Sequence, residues 1–597
     1  MTRRCVLSIV FCALLVGATG CSLFSKPGPD DAFRAFAAAL QRKDGAAAAA
    51  RTDDPAAATA VITSMFAGMG KNATLRVDTS APDDDENTAK LTYSWSFGPN
   101  KNLNYDATAT ATQSGDDWLV HWDTTVLHPK LQPGMTFQYS DDKNYLTPVT
   151  DRDGQPLLTW QTIGVVNLSR NHLDSAAPLA SILRQFDDTI NDQSIADQFN
   201  GTQDDVVTVV KLRQEDLDQV NDQLKQVPGV TVVEQGALLT TNRDLASPAI
   251  DGLQASWQSA IDAAAGWSVL LISDSGHDKG QPTEQLTSTP PRDTPPIRTT
   301  LDSRLQMLAQ QAVGTETRPA VVVAISPSTG GILAAAQNPA ASAQGPIAFS
   351  GAYPPGSTFK TITTAAALQA GLATPDTPEQ CPGTITVENR TIPNEDEFDL
   401  GTVPLSTAFA KSCNTTMAGL ADKLPPDALP NMARLFGIGV DYVIPGLTTI
   451  TGRVPNADTP AQKVENGIGQ GTVTVSPFGL AVAEDSLGHG STITPTLLVG
   501  ETTTANTPSA PIPPAIADDL RSMMLQTVSD GTATELRDVP GLGGKTGTAE
   551  FGDNTHSHGW FAGIAGDIAF ATLVVGGDTS TPAVTVSGDF LRPALAA

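Results

Sequence analysis

"AYPPGSTFKTITTAAALQAG", residues 352–371, passes from a Pro-Pro-Gly turn into an alanine-rich run. Pro354 and Pro355 cannot continue a preceding element. Phe359, Ile362, Ala366 and Leu368 recur at roughly helical spacing, so a helix is predicted to begin near Ser357. A spacing of three puts Ser357 and Lys360 on one helix face, with the ammonium within reach of the hydroxyl. That is the arrangement of an activated nucleophile. The plain alternative is a serine N-cap followed by a solvated lysine, and Ser140-Asp141-Asp142-Lys143 repeats the spacing inside a polar turn. The company that Ser357 keeps decides between them.

Downstream, "AKSCNTTMAGLA" (410–421) carries Ser412-Cys413-Asn414 ahead of a small-residue helix, and "GLGGKTGTAEF" (541–551) carries Lys545-Thr546-Gly547-Thr548 on a predicted strand. Taken singly, Ser412 and Asn414 read as turn or cap residues and Lys545-Thr546 as a solvated strand end. Ser169-Arg170-Asn171 also spells S-x-N, but it precedes no strong apolar helix. Taken together, S-x-x-K, S-x-N and K-T-G in that order resemble the three signatures of the serine acyltransferases that include penicillin-binding proteins and class A β-lactamases.

The resemblance implies a role for each residue. Ser357 attacks the carbonyl of a penultimate D-alanine and Lys360 takes its proton, which requires a neutral amine. Lys545 and partial burial lower the Lys360 pKa. Ser412 relays the proton to the leaving amine, and Asn414 binds the substrate amide while holding Lys360. Lys545, Thr546 and Thr548 offer a cation and two hydroxyls to the carboxylate of a D-Ala-D-Ala terminus or a β-lactam. Gly547 leaves room for a peptide lying along the strand. The backbone N–H groups of Ser357 and Thr548 form the oxyanion hole. No cofactor is implied.

Working outward, "AVVVAISPSTGGILAAAQ" (320–337) is a hairpin by its turn signals, and "GWFAGIAG" and "AFATLVVGG" read as strands after the K-T-G strand. Strands from both ends of a domain with helices between them suggest one antiparallel sheet flanked by helices. The expected fold class is multidomain α+β, with this transpeptidase domain at 299–597. Before it, a Ser/Thr/Pro/Gly-rich linker is expected at 273–298. A mixed pedestal domain is expected at 145–272; its "DRDGQPL" turn resembles the pedestal entry of class B penicillin-binding proteins. Residues 28–144 show helical segments followed by alternating strands, and this order with "WLVHWDTTVLHPKL" resembles the NTF2-like N-terminal domain of some monofunctional penicillin-binding proteins. One departure stands out: "EDSLGHGSTITP" (484–495) lies where the family commonly has an Ala-Asn-Gly-Gly turn.

A net charge of −28 over 597 residues argues against nucleic acid or an anionic membrane surface as an electrostatic partner. Arg3 and Arg4 precede "CVLSIVFCALLVG", too short for a comfortable span, and then "ATGC". This reads as an export signal over 1–20, and Ala18, Gly20 and Cys21 resemble a bacterial lipobox in which Cys21 is lipidated. The expected location is the extracytoplasmic face of the cell membrane, through two acyl chains. A plain secretory signal with a chance cysteine is the alternative.

Cys381 and Cys413 are then the remaining cysteines, free or paired in an oxidising compartment. The seven histidines show no ligand spacing, so no metal is expected. The resemblance implies a D,D-transpeptidase, with peptidoglycan stem peptides, β-lactams and the cell-wall synthesis machinery as partners. The alternatives are a D,D-carboxypeptidase or β-lactamase, although no E-x-x-L-N segment lies between the second and third signatures, and a non-enzymatic β-lactam sensor or scaffold.

Overall fold

A computed structural model describes residues 28–80, 87–552 and 555–596. The export signal and Cys21 lie outside the described residues. Among the described residues, no helix is long and apolar enough to cross a membrane. The chain divides into two compact units.

The first unit comprises the residues up to Asn144 together with Ala264–Asp293. Three helices, Pro29–Gln41, Gly45–Ala49 and Pro55–Met69, open it. Asp44 and Asp54 cap the second and third by accepting the N–H groups of Ala47 and Ala57, and Pro55 occupies the first turn where no N–H is needed. Strands Thr74–Ser80, Thr88–Ser96, Asn102–Ser114 and Asp117–Val120 follow as an antiparallel sheet in chain order. Ala89, Leu91, Tyr93 and Trp95 are buried while their neighbours are not, the period of two that a one-sided sheet requires.

Here two expected boundaries fail: residues 264–272, expected at the end of the pedestal domain, and most of the expected linker 273–298 belong to this unit. Pro282–Thr289, inside the expected linker, is a strand paired antiparallel to Gly266–Ser273, which pairs in turn with Met135–Asp142. The chain therefore leaves this unit after residue 144 and returns to it. Pro282–Thr289 has a neighbour on one side only and stays mostly exposed, so it carries no apolar alternation and its Thr/Ser/Pro composition imitates a linker.

The second unit comprises Tyr145–Ala263 and Thr294–Ala597. Its first part is a sheet built on the long strand Pro156–Ser169, which pairs with Val206–Arg213 and Val230–Thr240. Its second part holds a five-stranded antiparallel sheet in the order Ile332–Gln337, Ala320–Ile325, Ile568–Val574, His556–Ala565, Gly543–Phe551. Val321, Val323 and Ile325 face one apolar cluster and Ala320, Val322 and Ala324 another. Both faces are covered, which is why these strands read as continuous apolar runs. The strand carrying Lys545 is at the sheet edge, leaving one side of its backbone unpaired.

The "EDSLGHG" departure ends the helix Pro477–His489, with Gly490 in the left-handed region at φ 84°. It also places Glu484 and Asp485 in the core at 1% and 0% exposure, with Glu484 Oε2 and both Asp485 carboxylate oxygens unpartnered among the described residues. Burial raises both carboxyls to about 8.

Candidate active site

The turn Gly356–Phe359 is 3₁₀, and the α-helix begins at Lys360 and runs to Gln369. Ser357 thus lies in a tight lead-in turn, not in the first α-turn as the spacing predicts; 3₁₀ geometry is common at such ends. Gly356 has φ +53°, and a Cβ there would sit 2.5 Å from Thr548 O. The glycine allows the Ser357 turn to lie directly on the Lys545–Thr548 strand. Gly547 serves the same approach from the other side. Its missing Cβ would meet Pro355 O at 2.8 Å and Thr358 Cγ2 at 2.9 Å, so this glycine makes room for the turn and not, as expected, for a peptide.

A second brace was missed in the sequence. In "NGIGQG" (466–471), Gly469 O accepts the Gly356 N–H at 2.9 Å, and Gly467 O accepts Thr363 Oγ1 at 2.7 Å. Gly469 has φ +77° and its Cβ would stand 1.9 Å from Gly356 O. Glycines at alternate positions were the available signal. Trp560 Nε1 donates to Pro354 O at 2.9 Å and fixes the other end of the turn.

The three signatures converge. Lys360 Nζ donates to Ser412 O at 2.7 Å, Ser412 Oγ at 3.1 Å and Asn414 Oδ1 at 2.6 Å. Lys545 Nζ donates to the same Ser412 Oγ at 3.0 Å and to Thr546 O at 3.0 Å. It lies 5.8 Å from the centre of the Phe409 ring. Ser412 has φ +63°, a conformation costly for a residue with a side chain. That backbone turn lets both its carbonyl and its hydroxyl face Lys360. Ser357 Oγ makes no hydrogen bond among the described residues and is half-buried. It does not bond Lys360 as the spacing implies, because three other acceptors hold Nζ. Free enzymes commonly keep such catalytic contacts loose.

Both lysines are fully buried. Burial is the main cause that lowers the Lys360 pKa well below its ordinary value, with the Lys545 charge second and Glu395 opposing. Burial likewise lowers Lys545 to about 7, again opposed by Glu395. Thr548 is half-buried at the strand edge. Thr546 is buried, and its Oγ1 is hydrogen-bonded to Thr532 Oγ1 at 2.5 Å.

Cys381 and Cys413 are disulfide-bonded, with Cα atoms 6.2 Å apart. Cys413 is the middle residue of the S-x-N signature, so the bond ties Ser412 and Asn414 to the strand Pro378–Cys381. The acidic segment 389–401 also reaches the site: Asn414 Nδ2 donates to Pro393 O at 2.8 Å, and Asn414 N donates to Asn394 Oδ1 at 2.8 Å.

Two family descriptions match the chain. "Penicillin binding protein transpeptidase domain" covers residues 320–595 and "NTF2-like N-terminal transpeptidase domain" covers 28–135. The chain is 32% identical over 305 residues to "Peptidoglycan D,D-transpeptidase PbpA" of Mycobacterium tuberculosis, covering 43% of this chain and 62% of that protein. It is 27% identical over 295 residues to "Peptidoglycan D,D-transpeptidase MrdA" of Acinetobacter baumannii, covering 42% and 44%. "Penicillin-binding protein 3" of Bacillus subtilis is 22% identical over 653 residues, covering 94% of each chain. The match to PbpA thus spans less than two thirds of that relative's length.

Proposed function

We propose that this chain, which belongs to the class B penicillin-binding proteins, is a peptidoglycan D,D-transpeptidase working through an acyl-enzyme on Ser357. The observation that carries the reading is the meeting of Lys360 and Lys545 on one Ser412 hydroxyl, 3.1 and 3.0 Å away, beside a half-buried serine.

The chemistry follows from the geometry. Neutral Lys360, favoured by burial, takes the Ser357 proton as Oγ attacks the penultimate D-Ala carbonyl. The developing oxyanion is assigned to the N–H groups of Ser357 and Thr548, and the close approach of the Gly356 turn to Thr548, which leaves no room for a Cβ, supports that assignment. Ser412 accepts from both lysines, which leaves its own O–H for the leaving amine, so the C–N bond breaks as that amine takes the Ser412 proton and Lys360 passes the proton it took from Ser357 to Ser412 Oγ. An amine of a neighbouring stem peptide then attacks the ester, forms the cross-link and returns the proton to Ser357. Lys545 and Thr548 grip the substrate carboxylate, and the Asn414 amide retains one N–H for the substrate backbone. Stem peptides and β-lactams are the ligands this site fits, and β-lactams acylate the same oxygen.

Cys21 is the lipid attachment point, holding the enzyme on the extracytoplasmic face beside the cell-wall synthesis machinery. Cys21→Ala is expected to move the protein out of the membrane fraction; retention there refutes the anchor.

Intact mass after incubation with a penicillin, and with a D-Ala-D-Ala thioester plus a D-amino acid, tests the reading. A penicilloyl adduct lost in Ser357→Ala, together with an aminolysis product, is expected. An adduct that persists in Ser357→Ala refutes the nucleophile. Hydrolysis without aminolysis makes the protein a D,D-carboxypeptidase.

A further inference from the structure

The helix Asn414–Lys423 begins at the catalytic constellation, yet its own N-cap residue, Cys413, is disulfide-bonded and supplies no side-chain cap. A helix start leaves several N–H groups without partners, and a cap ordinarily takes one or two of them. Here the acceptor comes from twenty residues upstream. Asn394 Oδ1 accepts the N–H of Asn414 at 2.8 Å and of Thr415 at 3.1 Å. Its Nδ2 donates to Pro382 O and Phe398 O, both at 2.8 Å, so the buried amide is fully satisfied. The preceding carbonyl, Pro393 O, accepts Asn414 Nδ2. The dipeptide therefore holds Asn414 by backbone and side chain together. With Nδ2 committed to Pro393, Oδ1 is turned toward Lys360 Nζ, 2.6 Å away.

Resting on the transpeptidase reading, we propose that Asn394 is a positioning residue: a helix cap supplied by the acidic 389–401 segment that sets Asn414, and through it Lys360, for acylation. It touches no reacting atom. Its loss frees two N–H groups and the loop that orients the Asn414 amide. Lys360 then loses an acceptor that favours its charged form, so its pKa falls further. A misplacement of about 1 Å in such a constellation costs about 100-fold in rate.

The test is the second-order rate of acylation by a penicillin across pH 5 to 9, corrected for active sites, in wild type, Asn394→Ala and Asn394→Asp. Asn394→Ala is expected to acylate at least about tenfold more slowly, with the rising limb of its pH profile moved to lower pH. A purely structural role would reduce the active fraction or the melting temperature and leave the profile in place; that result overturns the proposal. Asn394→Asp keeps the oxygen that accepts both N–H groups but loses the Nδ2 that donates to Pro382 O and Phe398 O, so it is expected to acylate more slowly than wild type and faster than Asn394→Ala. If Asn394→Ala fails to fold, Asn394→Asp decides: slowed acylation with a displaced pH profile supports the positioning role, and a pH profile left in place with only a reduced active fraction overturns it. A wild type that forms no adduct refutes the transpeptidase reading instead, which separates the two failures.

Discussion

The Lys545 ammonium that is to grip a substrate carboxylate is held by burial at a pKa of about 7, and this has a measurable result. At pH 6 most of the free enzyme carries the charge; at pH 8 most does not. A bound carboxylate raises the lysine pKa again, so binding an anionic ligand takes up a proton. Above about pH 7 the apparent second-order acylation constant should then fall about tenfold per pH unit, or about 1.4 kcal/mol. Burial first, and then the Lys545 charge, lower the Lys360 pKa well below its ordinary value, and a penicillin methyl ester shares that titration, so the ratio of acid to ester rates isolates the Lys545 contribution. A charge-assisted hydrogen bond contributes about 1.5 to 3 kcal/mol, so a penicillin should acylate about 10- to 150-fold faster than its methyl ester at pH 6. The two rates should converge by pH 9, because the ester does not need the charge. Stopped-flow acylation with the acid and its ester from pH 5.5 to 9.5 provides the assay. An alkaline limb that starts above pH 9, or one shared equally by the ester, would refute the assignment of Lys545 as a carboxylate-binding cation poised near neutrality.

Glu484→Gln should stabilise the protein at alkaline pH. The Glu484 carboxyl is held at about 8 against an ordinary 4.5, so the folded state binds more protons and stability falls with rising pH across that interval, by about 1.4 kcal/mol per pH unit. Urea unfolding at pH 5, 6.5 and 8 should show a shallower decline in the variant; parallel slopes would count against a protonated buried acid. Reducing the Cys381–Cys413 bond, which spans 32 residues, should cost about 3 to 4 kcal/mol by loop-closure entropy and slow acylation, because Cys413 lies between Ser412 and Asn414. Denaturation and acylation measured with and without reductant check this, and unchanged acylation after complete reduction removes the functional half.

Much of the site was legible because its parts are short, local and chemically distinctive. Ser357-x-x-Lys360, Ser412-x-Asn414 and Lys545-Thr546-Gly547 each name residue types that few structural purposes require together. The apolar strands 320–325, 332–337 and 568–574 were legible for a related reason: burial on both faces leaves unbroken apolar runs. Pro282–Thr289 was not, since an exposed edge strand obeys no apolar period and is indistinguishable in composition from a linker. Asn394 was hidden for another reason. One asparagine in an acidic turn says nothing until the two N–H groups it serves, twenty residues away, are brought to it.

What the chain's order of residues determined by itself was the inventory: the candidate nucleophile, the candidate amines, and most of the segments that become sheet or helix. Side-chain chemistry and hydrophobic period are local properties, so they survive in a linear reading. Tertiary structure alone decided the partnerships. Lys360 turns to Ser412 and Asn414 rather than to its near neighbour Ser357, Gly547 yields its space to the Ser357 turn, and Thr546 meets Thr532. Burial at the meeting of the three signatures sets both lysine pKa values. Desolvation and close backbone approach depend on what arrives from distant parts of the chain, and no spacing along the sequence encodes them.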